Sequence, residues 1–211
     1  RLGDEAGASM RGYGFSLRGG TNPLSCTWYE KLASREDFTE LWGEDGSGDL
    51  LMPANVSWVA NEIGRAASFV VADGGMGVGR GRDGQHLENF QEIVAGGVLL
   101  AEVLVALRTL IQGGWFICKF FDTFTSLSVG LLFVLAAAFE EVRVVKPRSS
   151  RVVNSERYVV ARRFRGADAG GVEALSRAVQ AAHEAWPRPG AGGAWAGEAP
   201  RSVVPALALA Q

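Results

Sequence analysis

An apolar run of strand length that stops in Asp-Gly-Gly constrains this chain most. Residues 68–75 read Ser-Phe-Val-Val-Ala-Asp-Gly-Gly. A continuous apolar run suits a buried parallel strand, and the carboxylate with its two glycines turns the strand into a loop. A second run, Trp115–Phe121 (WFICKFF), has the same character. Between the two, Phe90, Ile93, Val94, Gly97, Leu100, Ala101, Leu104 and Leu107 fall at helical spacing. That spacing predicts a helix over about 87–112, ended by Gly113-Gly114.

The same reading extends along the chain. Residues 12–17 (GYGFSL) predict a short strand, 22–49 a polar loop, and 56–63 a helix with Asn55 as N-cap and Gly64 as its stop. The apolar stretch 126–142 predicts a buried helix, and 143–146 and 157–164 predict two strands. Strands alternating with helices imply an α/β layer with a mainly parallel sheet. The last two strands have no helix between them, which suits an antiparallel pair at the edge. Residues 1–166 form the candidate domain. Residues 167–211 are rich in Ala, Gly and Pro, with one plausible helix at 172–185 and a tail.

Bulk properties narrow the function classes. A net charge of −2 over 211 residues gives no global basic field of the nucleic-acid-binding kind. The two cysteines, Cys26 and Cys118, are expected to be free thiols, and no His/Cys cluster has zinc spacing, so no metal is expected. The polar start, RLGDEAGASM, has no secretory pattern and no initiator Met, so the chain is expected to begin inside a longer protein. The apolar run 129–139 is too short to span a bilayer, so no membrane association is expected.

Ligands of open α/β sheets bind at the carboxyl ends of strands. Asp73 lies at one such end and Lys119 near another. A lysine among apolar neighbours needs a partner, and Asp73 is the natural one if the two strands are adjacent. The chain has three lysines against eighteen arginines. Arginine cannot release its proton in a protein, whereas a buried lysine can serve as a base. The same pattern also fits an ion pair that merely closes the strand ends. Between Arg143 and Arg165 there are eight basic residues and one acid, Glu156. Such a strip can hold phosphates or be a solvated surface. The loop 76–84 (MGVGRGRDG) lacks both a Walker lysine and a regular G-x-G-x-x-G, and reads as an insertion.

FVVADGG, ENFQEI, GGWFICKFFDTFTSLSVGLLFVL and FEEVRVVKPRSSRVVNSERYVVARRF occur in that order. Together they resemble the FtsJ-like RNA 2′-O-ribose methyltransferases, closest to the eukaryotic cap-specific branch that acts on the first transcribed nucleotide of mRNA. The likeness runs from about Arg11 to Phe164. It implies a Rossmann-like sheet that uses S-adenosylmethionine (AdoMet) without a metal. By resemblance Lys119 is the proton acceptor, with Asp73 and Glu156 beside it in the catalytic set. Asp49, Leu50 and Asp73 match cofactor-contacting positions. Asn89, Phe90, Gln91 and Asn154 match positions that touch capped RNA. The resemblance also implies a nuclear setting near the RNA polymerase II transcription machinery.

Two family features have no counterpart here. One is a first lysine, for which Lys31 is misplaced. The other is the glycine-rich AdoMet loop of the type D-x-C-x-x-P-G-G-F, which with its strand would precede GYGFSL. The expected sheet is therefore incomplete at its N-terminal side. The alternatives are a non-catalytic RNA- or partner-binding fragment, or a related enzyme acting on the second cap nucleotide or on ribosomal RNA.

Overall fold

The computed structural model describes residues 10–19, 28, 30–75, 91–151 and 153–188. The insertion 76–84 and the candidate RNA contacts Asn89 and Phe90 lie outside the described residues. The elements are β1 (Gly12–Phe15), α1 (Glu30–Ala33), β2 (Phe38–Leu41), α2 (Pro53–Ile63), β3 (Ala67–Ala72) and α3 (Gln91–Val94). They continue as α4 (Gly96–Thr109), β4 (Leu110–Phe120), α5 (Ser126–Ala138), β5 (Phe139–Val145), β6 (Arg157–Phe164) and α6 (Val172–Glu184).

The strands form two sheets. β1 and β2 pair in parallel, and a four-stranded sheet has the order β3-β4-β6-β5. β3 and β4 are parallel neighbours, while β6 runs antiparallel to both β4 and β5. Three strands of the larger sheet therefore point one way and β6 opposes them, with β5 at the edge as the missing crossover helix predicts. The parallel β3–β4 pair is joined through α4, the connection a βαβ unit requires.

Several local expectations shift. Residues 22–49 read as loop in the sequence, yet they contain α1 and β2. FTEL is too short and polar to announce a strand, and its pairing with β1 makes it one. Gly113-Gly114 do not end a helix. The chain leaves α4 at Leu110 and enters β4 at once, and the register with β3 jumps from Ala67↔Leu110 to Phe69↔Trp115. Gly113, at φ 83°, sits in that bulge, in a region that favours glycine. Arg65 donates to the carbonyls of Leu107 and Leu110 at 3.0 and 3.3 Å, satisfying the end of α4. Asn55 is not a cap. α2 starts two residues earlier at Pro53, whose missing N–H suits a first helical position. α5 ends at Ala138 and β5 takes over its last predicted residues.

Strand alternation gives the larger sheet two different faces. Phe116, Cys118 and Phe120 of β4, with Val159 and Ala161 of β6, pack into one core with α4, α5 and α6. Phe69, Val71, Trp115, Ile117, Lys119, Tyr158, Val160 and Arg162 share the opposite face, and none of them is buried. There Arg162 lies over the Trp115 ring at 4.3 Å, a cation–π contact that covers part of the apolar surface. Among the described residues no helix is long and apolar enough to cross a membrane.

Candidate active site

The site lies where β3 and β4 end. Their register pairs Ala72 with Cys118, so Asp73 and Lys119, one residue further on each strand, come side by side. Lys119 Nζ lies 3.0 Å from Asp73 Oδ1 and donates to the Asp73 carbonyl at 2.9 Å. The lysine side chain is 14% exposed and the aspartate 62% exposed. The cation is thus enclosed by the sheet while its partner faces solvent. The Phe121 ring lies 5.9 Å from Nζ. Gly75 lies beside the amine, where a Cβ would meet Nζ at 3.5 Å, an ordinary contact distance.

Glu156 joins this pair through a residue that sequence reasoning missed. The Tyr158 hydroxyl lies 3.1 Å from Glu156 Oε1 and 3.3 Å from Asp73 Oδ1, so its proton is shared between two carboxylates. Burial, the hydrogen bond to Glu156 and the nearby negative charges push its hydroxyl up to about 12, so it stays protonated and remains a donor. Tyr158 faces Lys119 directly across β4 and β6. A visible signal existed, because Tyr158 lies two residues after Glu156, which directly precedes β6, and an extended chain puts both on one side.

Asn154 stands behind Glu156. Its Nδ2 donates to Glu156 Oε2 at 2.9 Å. Lys146 Nζ donates to the Asn154 side-chain oxygen and to the carbonyls of Asn154 and Glu156, at 3.0 and 2.9 Å for the carbonyls. One lysine from the end of β5 therefore ties down the loop that delivers Glu156. Gln91 reaches the same loop, its Oε1 accepting from the Ser155 hydroxyl at 3.5 Å.

The next residue, Glu92, is buried and was not anticipated. Its carboxylate accepts from the backbone N–H of Phe124 and Thr125, at 3.2 and 2.7 Å, and from the Thr125 hydroxyl at 2.7 Å. Burial would raise this carboxyl, but these donors outweigh it and hold it below its ordinary range. Thr125 in turn caps α5 by accepting from Ser128 N–H. The loop after β4 is thereby fixed, and it presents Phe124 almost fully exposed.

Asp49 and Leu50 lie on a separate, well-braced loop, and no hydrogen bond or ion pair joins them to Asp73 or Lys119 among the described residues. Buried Asn55 donates to Asp45 Oδ1, Ser47 Oγ and the Asp49 carbonyl, which is its actual role. Asp49 Oδ1 accepts from Leu51 N–H at 2.8 Å, while Oδ2 has no partner among the described residues. The Leu50 carbonyl is held by His183 Nε2 of α6 at 2.9 Å. Among the described residues no group of His, Cys, Asp and Glu is arranged to hold a metal ion.

The model of the FtsJ-like methyltransferase family matches residues 6–164, which takes in every site residue above. The chain belongs to the FtsJ-like methyltransferases. Among its relatives, it is similar to the cap-specific mRNA (nucleoside-2'-O-)-methyltransferase 1 of Trypanosoma cruzi, 42% identical over 158 residues. The likeness covers 74% of this chain and 41% of that protein. The enzymes of the same name from Danio rerio and Homo sapiens are 41% and 42% identical, covering 75% and 71% of this chain. The chain spans only 19% and 18% of their lengths. A solved ribosomal RNA methyltransferase from Plasmodium falciparum is similar with a TM-score of 0.48 at 16% identity, covering 78% of each chain. Helix α6 follows the matched segment, yet this FtsJ-like chain packs α6 into the same core as α4.

Proposed function

We propose that this chain transfers a methyl group from AdoMet to the ribose 2′-OH of the first transcribed nucleotide of capped mRNA, with Lys119 as general base. The observation that carries the reading is the placement of Lys119. Its amine is held by both oxygen types of Asp73 at a strand's carboxyl end, on the open face of the sheet. The mRNA-cap substrate is supported by the names of the three relatives above. It implies a nuclear setting near the RNA polymerase II machinery, and both are part of the proposal.

A ribose hydroxyl is a poor nucleophile until its proton leaves. Lys119 in its neutral form takes that proton as the oxygen attacks. Asp73 orients the amine, and Tyr158, whose hydroxyl also reaches Glu156, meets Asp73 from the far side. AdoMet supplies the electrophilic methyl when bound. Asp49 fits such a ligand, because one carboxylate oxygen is spent on its own turn and the other is left for a hydroxyl or amino donor. Leu50 would lie beside it on the same braced loop, and Asp73 would face it from the strand end. No segment of the 211 residues carries the glycine-rich loop described above. Gln91 and Asn154, which bond Ser155 and Glu156 respectively, would meet the RNA.

General-base help of this kind is worth about 10²–10⁴-fold in rate. Lys119→Ala in the full-length protein is therefore expected to lose methyl transfer by at least about 100-fold while RNA binding persists. Lys119→Arg, which keeps the charge but cannot give up a proton, is expected to be equally inactive. Substantial activity in the arginine variant would show that the position supplies only charge.

A further inference from the structure

We infer that Glu102 is a positioning residue for the Asp73–Lys119 pair, acting through the single peptide group that links Asp73 to Gly74. This rests on the reading of Lys119 as the base. Helix α4 is buried along nearly its whole length, and Glu102 is 6% exposed in the middle of it. No cation pairs with it among the described residues. A carboxylate removed from water without an ion pair is expensive, so its retention in an apolar helix calls for a use.

Its two oxygens reach the ends of both strands that carry the pair. Oε1 accepts from Gly74 N–H at 2.7 Å. Oε2 lies 3.4 Å from Cys118 Sγ, the residue before Lys119. The carbonyl of the same Asp73–Gly74 peptide accepts from Lys119 Nζ at 2.9 Å. In a trans peptide the N–H and C=O point in opposite directions. The peptide is therefore clamped between Glu102 on the core side and Lys119 on the open side. A charge at one end of such a chain polarises the peptide and strengthens the bond at the other. Gly74 makes the approach possible, since a Cβ there would lie 2.4 Å from Glu102 Oε1. The titratable groups facing Glu102 are Asp73 at the end of β3 and Cys118 and Lys119 on β4. Burial, chiefly, raises its carboxyl to about 7, so its charge changes near neutral pH.

Two measurements on the full-length protein test this. Labelling aspartate at its carbonyl carbon and glycine at nitrogen selects the Asp-Gly amides, of which this sequence has three, at 45–46, 73–74 and 83–84. The Gly74 peak is the one that Asp73→Glu deletes. It is expected to move with a midpoint near 7 in the wild type and to stay still in Glu102→Gln. That readout does not depend on methyl transfer, so it separates a failure here from a failure of Lys119 as base. In kinetics, Glu102→Leu fills similar volume and is expected to fold. It should lose at least about ten-fold in kcat with KM for RNA within two-fold, and Glu102→Gln should recover most of the loss. A Gly74 amide that does not titrate between pH 5 and 9, or a leucine variant with wild-type kcat, overturns the proposal.

Discussion

Gly74→Ala puts the geometry at the end of β3 to a sharp test, because its neighbour Gly75 is a matched control. A methyl at position 74 would lie 2.4 Å from Glu102 Oε1 and 2.7 Å from Val98 Cγ1. Ordinary contact needs about 3.5 Å or more, so something must move by about 1 Å. Both neighbours are buried on α4, which is packed on all sides and has no room to retreat. The turn must move instead, and Asp73 moves with it. Overpacking of this kind costs about 1–3 kcal/mol. At about 2–4 °C per kcal/mol for a domain of this size, Tm should fall by about 2–12 °C. A displacement near 1 Å at a catalytic group can cost on the order of 100-fold in rate. Gly75→Ala meets only the end of Lys119, at 3.5 Å, and its backbone is not in the left-handed region. Its Tm should stay level or rise slightly through a stiffer unfolded chain. Differential scanning fluorimetry on both variants, with methyl transfer measured alongside, decides the matter. Gly74→Ala matching the wild type in stability and rate, or falling less in Tm than Gly75→Ala, would refute the close packing of Glu102 beneath this turn.

Other expectations concern single groups. Tyr158→Phe removes the hydroxyl shared by Asp73 and Glu156, a bond worth about 0.5–1.5 kcal/mol; kcat should drop about two- to ten-fold with little change in Tm. Glu102→Gln should be more stable than the wild type at pH 8 and nearly equal to it at pH 4, below the unfolded value. The folded carboxyl is raised from 4.5 to about 7, so the unfolded chain releases this proton first and stability is lost as pH rises through that window, by about 3 kcal/mol. Chemical denaturation at the two pH values measures the difference. His183 has the opposite sign. Burial depresses it below 6.5, so the unfolded chain binds the proton first and stability is lost as pH falls below 6.5, by at most about 1.4 kcal/mol per pH unit. Thermal melts from pH 7 to 5 should show a shallower acid slope in His183→Gln, which can still donate to the Leu50 carbonyl. An unchanged slope would remove His183 from the account.

The parts of the fold legible in the sequence are those set by local pattern. The runs 68–72 and 115–121 are strands, as their β-branched and aromatic residues indicate, but they are not the fully buried strands that an unbroken apolar run suggests: Phe69, Val71 and Trp115 lie exposed on the open face. The period between the two runs is helical whatever surrounds it. The Lys119–Asp73 pair was legible only on condition that the two strands be neighbours, and the parallel pairing of β3 with β4 meets that condition. What was not legible depends on partners distant in sequence. β2 exists because β1 lies beside it. Gly113-Gly114 punctuate a bulge rather than a helix end because β3 pairs with both Leu110 and Trp115 around them. Asn55 has the chemistry of a cap, but its side chain is drawn into the 45–49 loop. Glu102 left a faint trace, one acid inside the apolar stripe LLAEVLVAL. Only the rotation of α4 over β3 shows that it reaches Gly74. Asn89 and Phe90 lie outside the described residues, so the RNA-contacting half of the reading rests on Gln91 and Asn154.

Register is what couples the stability of this domain to its chemistry. β4 sends Phe116, Cys118 and Phe120 into the core and Lys119 to the open face, and this assignment has period two. A slip of one residue would bury the lysine among α4 and α5 and expose two phenylalanines. Each phenylalanine is worth roughly 1.5–3 kcal/mol of burial, and the lysine charge would be stranded without a partner. The core thus selects the one register in which Nζ meets Asp73. The antiparallel strand β6 reads the same register from the other side, pairing Cys118 with Val159 in the core and Lys119 with Tyr158 on the open face. Tyr158 and Lys119 are consequently delivered together by the burial of their neighbours. Glu102 then completes the arrangement from beneath, where its buried carboxyl accepts from the Gly74 amide. Substitutions that loosen the core under β4 should therefore lower the rate of methyl transfer before they unfold the domain.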